Sequence, residues 1–135
     1  MSGPCDLDGL RILVVDDDAT MRALLCRMLK RMRVSGVAEA DGGEQALERI
    51  ATLRGAVDLV ICDWNMPGMS GMELFQRVNA DRPRLPFLML TGRADLDSVL
   101  AAKQAGVPGY IVKPISRDSL RAEIAHLLDR SVWNV

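Results

Sequence analysis

Three aspartates stand side by side in this chain, Asp16, Asp17 and Asp18, directly after the apolar run over residues 10–15. Asp63 follows a second apolar run over 57–62, and Thr91 and Lys113 follow two more. Carboxylates gathered at one place repel one another, and left alone at least one would hold its proton unusually well. A hard divalent cation relieves that repulsion, and Mg²⁺ (or Mn²⁺) takes a few carboxylates, a carbonyl and several waters. Asp17 and Asp63 are the expected direct ligands, with the backbone carbonyl of Asn65 as a third protein oxygen and Asp16 holding a metal-bound water. A carboxylate is also a nucleophile toward phosphorus, giving an aspartyl phosphate, and a metal ion neutralises charge on the transferring group. Lys113 supplies a point cation that pairs with Asp63 at rest and with the phosphoryl group afterwards. Thr91 offers a hydroxyl donor to a phosphoryl oxygen, and Gly92 leaves room for the donor molecule to approach. These roles fit together only for phosphoryl transfer onto Asp63.

For these residues to meet, the elements carrying them must run in one direction. Short apolar runs alternate with segments of helical period, the pattern of βα units. Strands are expected over 10–15, 37–40, 57–62, 87–90 and 110–112. The first helix should face the core with Met21, Leu24, Leu25, Met28, Leu29 and Met32, and Asp18 is placed to cap its N-terminus. Later helices carry Ala46, Leu47, Ile50 and Leu53; Met72, Leu74, Phe75 and Val78; Leu96, Val99 and Leu100; and Leu120, Ile124, Leu127 and Leu128. The run over 57–62 is almost continuously apolar, as a central strand covered on both faces should be. Gly106 and Pro108 end the fourth helix. The expected fold is α/β, a doubly wound, five-stranded parallel sheet with right-handed crossovers, (βα)5. Ligands of such sheets sit beyond the carboxyl ends of the strands, near the point where strand order reverses. Asp16, Asp17, Asp63, Thr91 and Lys113 all fall there.

A chain of 135 residues fits one domain, expected over 10–130 with an N-terminal extension over 1–9 and a tail over 131–135. Hydrophobic residues at 49% and charged residues at 26% supply a core without staples. With aromatics at only 4%, that core rests on Leu, Val, Ile, Met and Ala. A net charge of -1 and the lack of a basic run argue against a nucleic-acid partner. No apolar run is long enough to span a bilayer, and the N-terminus has no secretory pattern. Cys5, Cys26 and Cys62 are odd in number and lack CxxC spacing, so they read as reduced thiols. The expected location is cytoplasmic, with no membrane partner.

The residues also carry a resemblance. Ile12-Leu13-Val14-Val15-Asp16-Asp17 resembles the acidic first-strand motif of response-regulator receivers. Cys62-Asp63-Trp64-Asn65-Met66-Pro67-Gly68-Met69-Ser70-Gly71 resembles their phosphoacceptor loop, and Asp-Trp-Asn-Met-Pro within it is especially similar to the chemotaxis CheY type. Leu90-Thr91-Gly92 resembles the switch threonine and its small successor, and Gly109-Tyr110-Ile111-Val112-Lys113-Pro114 the switch aromatic and the lysine-proline pair. Four motifs in this order are far more specific than any one of them. The likeness runs from about Leu10 to Leu128. It implies a flavodoxin-like, CheY-like sheet of order 2-1-3-4-5 and a cis peptide between Lys113 and Pro114. CheY is among the cases behind the strand-end rule, so agreement with that rule is not independent support.

The family further implies a histidine kinase as phosphodonor, transfer to Asp63 catalysed by the receiver itself, and a signalling role rather than a turnover enzyme. Thr91 then moves toward the phosphoryl group and Tyr110 turns inward. The face of helix 4, strand 5 and helix 5 changes its preference for a downstream target, such as a flagellar motor switch, and a phosphatase is a further partner. Chemotaxis is the favoured pathway; a cell-cycle or other stand-alone regulator is the alternative.

Two other readings compete. Asp16-Asp17-Asp18-Ala19-Thr20 also fits DxDxT, the nucleophile motif of haloacid-dehalogenase phosphatases, with Asp16 as the phosphorylated residue; no late acidic pair follows the lysine, and the Asp63 loop would go unexplained. A docking-only receiver would have lost Asp17, Asp63 or Lys113, and none is lost. Met1 and an end soon after the last helix read as a stand-alone protein, a receiver cut from a larger regulator being the alternative. Tyr110 and Thr91 also suit plain strand packing. Trp64 shields the loop, Trp133 packs in the tail, His126 has no assigned role, and the methionines fill the core. Ser70 departs from the usual acidic or polar loop residue with small effect. Arg93, two residues after Thr91, is expected to pair with phosphate oxygens or obstruct a hydrolytic water.

Overall fold

The computed structural model describes residues 9–53, 56–92 and 96–128. Cys5, Arg93, Trp133 and the side chain of Leu96 lie outside what is described, as do the extension over 1–8 and the tail. Strands and helices alternate: β1 (Arg11–Val15), α1 (Ala19–Arg31), β2 (Gly36–Ala40), α2 (Gly43–Leu53), β3 (Leu59–Asp63), α3 (Gly71–Asp81), β4 (Phe87–Thr91), α4 (Leu96–Ala105), β5 (Gly109–Val112) and α5 (Arg117–Leu128). The strands form one sheet in the order β2-β1-β3-β4-β5, parallel throughout. Expected fold class and strand order both hold.

Period-two alternation sorts the strand side chains into two apolar layers. Leu13, Val15, Val60, Cys62, Phe87 and Met89 pack with α2, α3 and Ala102 of α4. Ile12, Val14, Leu59, Ile61, Leu88, Leu90 and Ile111 pack with α1 and α5. All five residues of β3 and all five of β4 are buried, because helices cover both faces of these inner strands. Their carboxyl ends, Asp63 and Thr91, are therefore held by the stiffest part of the sheet.

Two helical faces differ from expectation. Leu24 is 40% exposed, because the core contacts of α1 are made by Leu25, Cys26 and Leu29. Leu100 is 56% exposed, and α4 buries the small Ala102 instead. Strand bounds shift as well. β3 begins two residues late, since Asp58 is turned to Arg11: its N–H donates to Arg11 O at 2.8 Å, and its carboxylate accepts the Arg11 N–H at 2.9 Å. Gly106 ends α4 at φ +87°, with the Val107 N–H returning to Ala102 O at 2.9 Å. Cys26 and Cys62 are free and buried. Among the described residues, no helix is long and apolar enough to cross a membrane.

Candidate functional site: an acidic cup at the strand ends

Strand order reverses between β1 and β3, and the loops leaving these two strands diverge there to open a cup. β1 delivers Asp16, whose N–H continues the pairing to Ala40 O at 3.1 Å. The chain then turns on its own carboxylates. Asp16 Oδ1 accepts the Asp18 N–H at 2.9 Å, and Asp18 Oδ1 accepts from Thr20 N at 2.9 Å and Met21 N at 3.4 Å. Asp18 is thus the helix cap expected for α1, and Asp17 is left exposed between two committed neighbours.

β3 delivers Asp63, and the loop behind it is tied at both ends. The Trp64 N–H donates to Leu90 O at 2.8 Å and the Gly71 N–H to Trp64 O at 2.9 Å. A Cβ at Gly71 would press on the Asp63 carbonyl oxygen and lie 2.9 Å from Met89 Sδ, so a glycine is required there by close approach. Ser70 caps α3 in a reciprocal capping box with Glu73. Cys62, just inside, is fully buried; burial pushes its thiol well above the usual range, with the Asp63 charge adding to the effect.

Asp16, Asp17 and Asp63 come together: one oxygen from each lies within 4.8 Å of the others. Asp16 is 1% exposed, and its Oδ2 is buried with no hydrogen-bond partner. Burial raises the Asp16 pKa; the Asp18 N–H bond and Lys113 oppose the rise, and the charges of Asp63 and Asp17 add to it. An orphaned carboxylate oxygen beside two more hard oxygen donors fits a divalent cation such as Mg²⁺. Lys113 Nζ stands 2.7 Å from Asp63 Oδ1, the resting pairing expected. Its backbone N–H donates to Thr91 O at 2.8 Å, and the Lys113–Pro114 peptide is cis.

Thr91 is fully buried, with its Oγ1 donating to Gly92 O at 2.9 Å. Asn65 is exposed in the loop two residues after Asp63. Tyr110 lies half-buried in β5, with Lys103 Nζ 5.9 Å from its ring centroid. His126 is exposed on α5. The phosphatase reading centred on Asp16 gains nothing from this arrangement, since Asp16 is enclosed and the lysine pairs with Asp63.

Sequence reasoning missed three contributors. The capping box was legible as Ser70-Gly71-Met72-Glu73, an S-x-x-E before an apolar run. Gly71 read as part of the loop after Asp63, and only the fold shows it pressed against the backbone of Asp63 and Trp64. Arg22 carries no signal in its spacing, yet its Nη1 donates to Asp16 O at 2.7 Å and its Nε to Glu39 Oε1 at 2.9 Å.

A 2-1-3-4-5 parallel sheet with three carboxylates at its switch point and a strand-end lysine on one of them defines the receiver class of doubly wound α/β domains. The chain belongs to the response regulator receiver domain family, which matches it over residues 12–125. It is 41% identical over 123 residues to Chemotaxis protein CheY of Pseudomonas aeruginosa, covering 90% of this chain and 98% of that one. Chemotaxis protein CheY-3 of Vibrio cholerae is 39% identical over 124 residues, covering 90% and 94%. Among solved structures, a response regulator receiver domain protein from Clostridium thermocellum superposes with a TM-score of 0.84 at 27% identity, covering 93% of this chain and 99% of that one. CheY4 of Vibrio cholerae gives 0.80 at 28%, covering 89% and 99%.

Proposed function

We propose that this response regulator accepts a phosphoryl group from a histidine kinase on Asp63 and thereby changes its affinity for a downstream protein. The supporting observation is the Asp63 carboxylate at the mouth of a fully buried strand, paired with Lys113 at 2.7 Å and grouped with Asp16 and Asp17. Asp17, Asp63 and the Asn65 carbonyl would hold Mg²⁺ or Mn²⁺ directly, and Asp16 through water. When bound, the ion supplies charge neutralisation for the transferring group.

The chain's own groups do the rest. The Asp63 carboxylate attacks phosphorus and displaces the imidazole of the donor, with no turnover of a separate substrate. Lys113 exchanges its carboxylate partner for the phosphoryl oxygens. Thr91 breaks its bond to Gly92 O to reach the same group, and Tyr110 turns inward. The face of α4, β5 and α5, where Leu100 and Val112 are exposed, presents the altered surface. A swing from 1:99 to 99:1 would take about 5.5 kcal/mol of differential stabilisation. The relatives named Chemotaxis protein CheY favour a chemotaxis pathway, with a flagellar motor switch as target and a phosphatase to reset it.

Incubation with a small acyl phosphate and Mg²⁺, followed by intact mass measurement, tests this. The wild type should gain one phosphoryl group in an acid-stable, hydroxylamine-labile form, and Asp63→Asn should gain none. A phosphoryl group retained in Asp63→Asn, or carried on Asp16, would overturn the assignment.

A further inference from the structure

Arg22 stands behind the acidic cup, on the first turns of α1. Its Nη1 donates to Asp16 O at 2.7 Å, and that oxygen belongs to the peptide joining Asp16 to Asp17. Its Nε is anchored on Glu39 of β2 at 2.9 Å, and Arg49 Nε holds the Glu39 carbonyl at 3.0 Å. On the other side of Asp16, the N–H is held by Ala40 O at 3.1 Å. Both peptides flanking the Asp16 Cα are therefore fixed to β2, one directly and one through a guanidinium. Asp18 fixes Asp16 Oδ1 as well, which leaves Oδ2 buried and unpartnered.

We propose that Arg22 is a positioning residue of the cup: by gripping the peptide that joins Asp16 to Asp17, with Glu39 as its anchor, it sets both carboxylates for a divalent cation. A planar fork with donors fixed relative to one another suits this double task; a lysine ammonium, a flexible point charge, does not. The inference rests on the metal-binding reading above and adds to it a residue that touches neither metal nor phosphoryl group.

Charge and position predict opposite signs. Arg22 is a cation near a site for cations, so by charge alone its removal should tighten metal binding. Acting through geometry, its removal should weaken binding. Loss of a partner that orients a direct ligand costs about 10–100-fold in metal affinity; because Arg22 acts through the main chain, about 3–10-fold is expected.

The test is Mn²⁺ binding to the full chain, read as loss of the free-ion signal in electron paramagnetic resonance. Wild type, Arg22→Ala, Arg22→Lys and Asp63→Asn are compared, with metal-free urea midpoints confirming that each protein is folded. Weaker binding by Arg22→Ala, with Arg22→Lys between it and wild type, supports the role. Binding by Arg22→Ala equal to or tighter than wild type overturns it. Should Arg22→Ala not fold, Arg22→Lys decides: it keeps the charge, so affinity equal to wild type rejects positioning and weaker affinity supports it. Failure of the underlying metal reading looks different, since wild type would then bind no better than Asp63→Asn.

Discussion

Replacing Gly71 with alanine should damage both the stability and the chemistry of this protein, and replacing Gly42 should damage neither. At Gly71 the new methyl meets the Asp63 carbonyl oxygen, Met89 Sδ at 2.9 Å and Trp64 Cα at 3.0 Å. Two of the three are main-chain atoms, so no rotamer change relieves the clash; the loop after β3 must move. Overpacking of this kind costs about 1–3 kcal/mol, and the stiffer unfolded chain returns about 0.4–1 kcal/mol. A net loss of about 1–2 kcal/mol should lower Tm by about 4–8 °C in a chain of this size. The displaced backbone is that of Asp63, the proposed phosphoacceptor, and a misplacement of about 1 Å can cost about 100-fold in rate. A few tenths of an ångström should slow phosphorylation by a small-molecule donor about tenfold.

Gly42 is the matched control. It directly precedes α2, and a methyl there meets no heavy atom within 4 Å outside its chain neighbours, so nothing has to move. Thermal melts by circular dichroism and timed mass spectra of the phosphorylated protein compare the two. Unchanged Tm and rate in Gly71→Ala, or equal slowing in both variants, would refute the close-approach argument.

Two further outcomes are expected. Lys113→Gln removes the cation 2.7 Å from Asp63 and leaves the acids to the metal. Mg²⁺ should then bind about fivefold more tightly, equivalent to about 1 kcal/mol, while phosphorylation slows; weaker Mg²⁺ binding in a titration would contradict this. In the metal-free protein, burial raises the Asp16 pKa above its ordinary 3.8, so the folded chain binds the proton more firmly than the unfolded one. That contribution is present in full below the ordinary value and is lost as pH rises through the raised one. Urea midpoints taken without metal at rising pH should show the loss in wild type and not in Asp16→Asn; identical slopes would reject it.

The sheet and the main acids were legible because their signals are local. Apolar runs closing in Asp16, Asp63, Thr91 and Lys113 state both the strand and the end that carries chemistry, and Asp18 announces its helix by chemistry confined to one turn. Helical faces were less legible. Leu24 and Leu100 satisfy an apolar stripe, yet each lies beyond the arc that its sheet face covers, and α4 packs through the small Ala102. Periodicity reports which side chains are apolar, while the neighbouring element decides how wide a stripe it hides. Arg22 and Gly71 were illegible for a different reason. Their importance lies in contacts with main-chain atoms of Asp16 and Asp63, brought near only when β1, β2 and α1, or β3 and α3, have assembled.

The bond from the Lys113 amide to the Thr91 carbonyl makes neighbours of the two groups proposed to greet an incoming phosphate, one at the tip of an inner strand and one just past the outermost. On the proposed function, a message from the acids to the outer surface crosses a single rung of the ladder. Such a short linkage is also reciprocal. A protein that clasps the outermost strand in its activated shape must, to the same degree in free energy, favour the phosphorylated form, so the listener helps to hold the signal it hears.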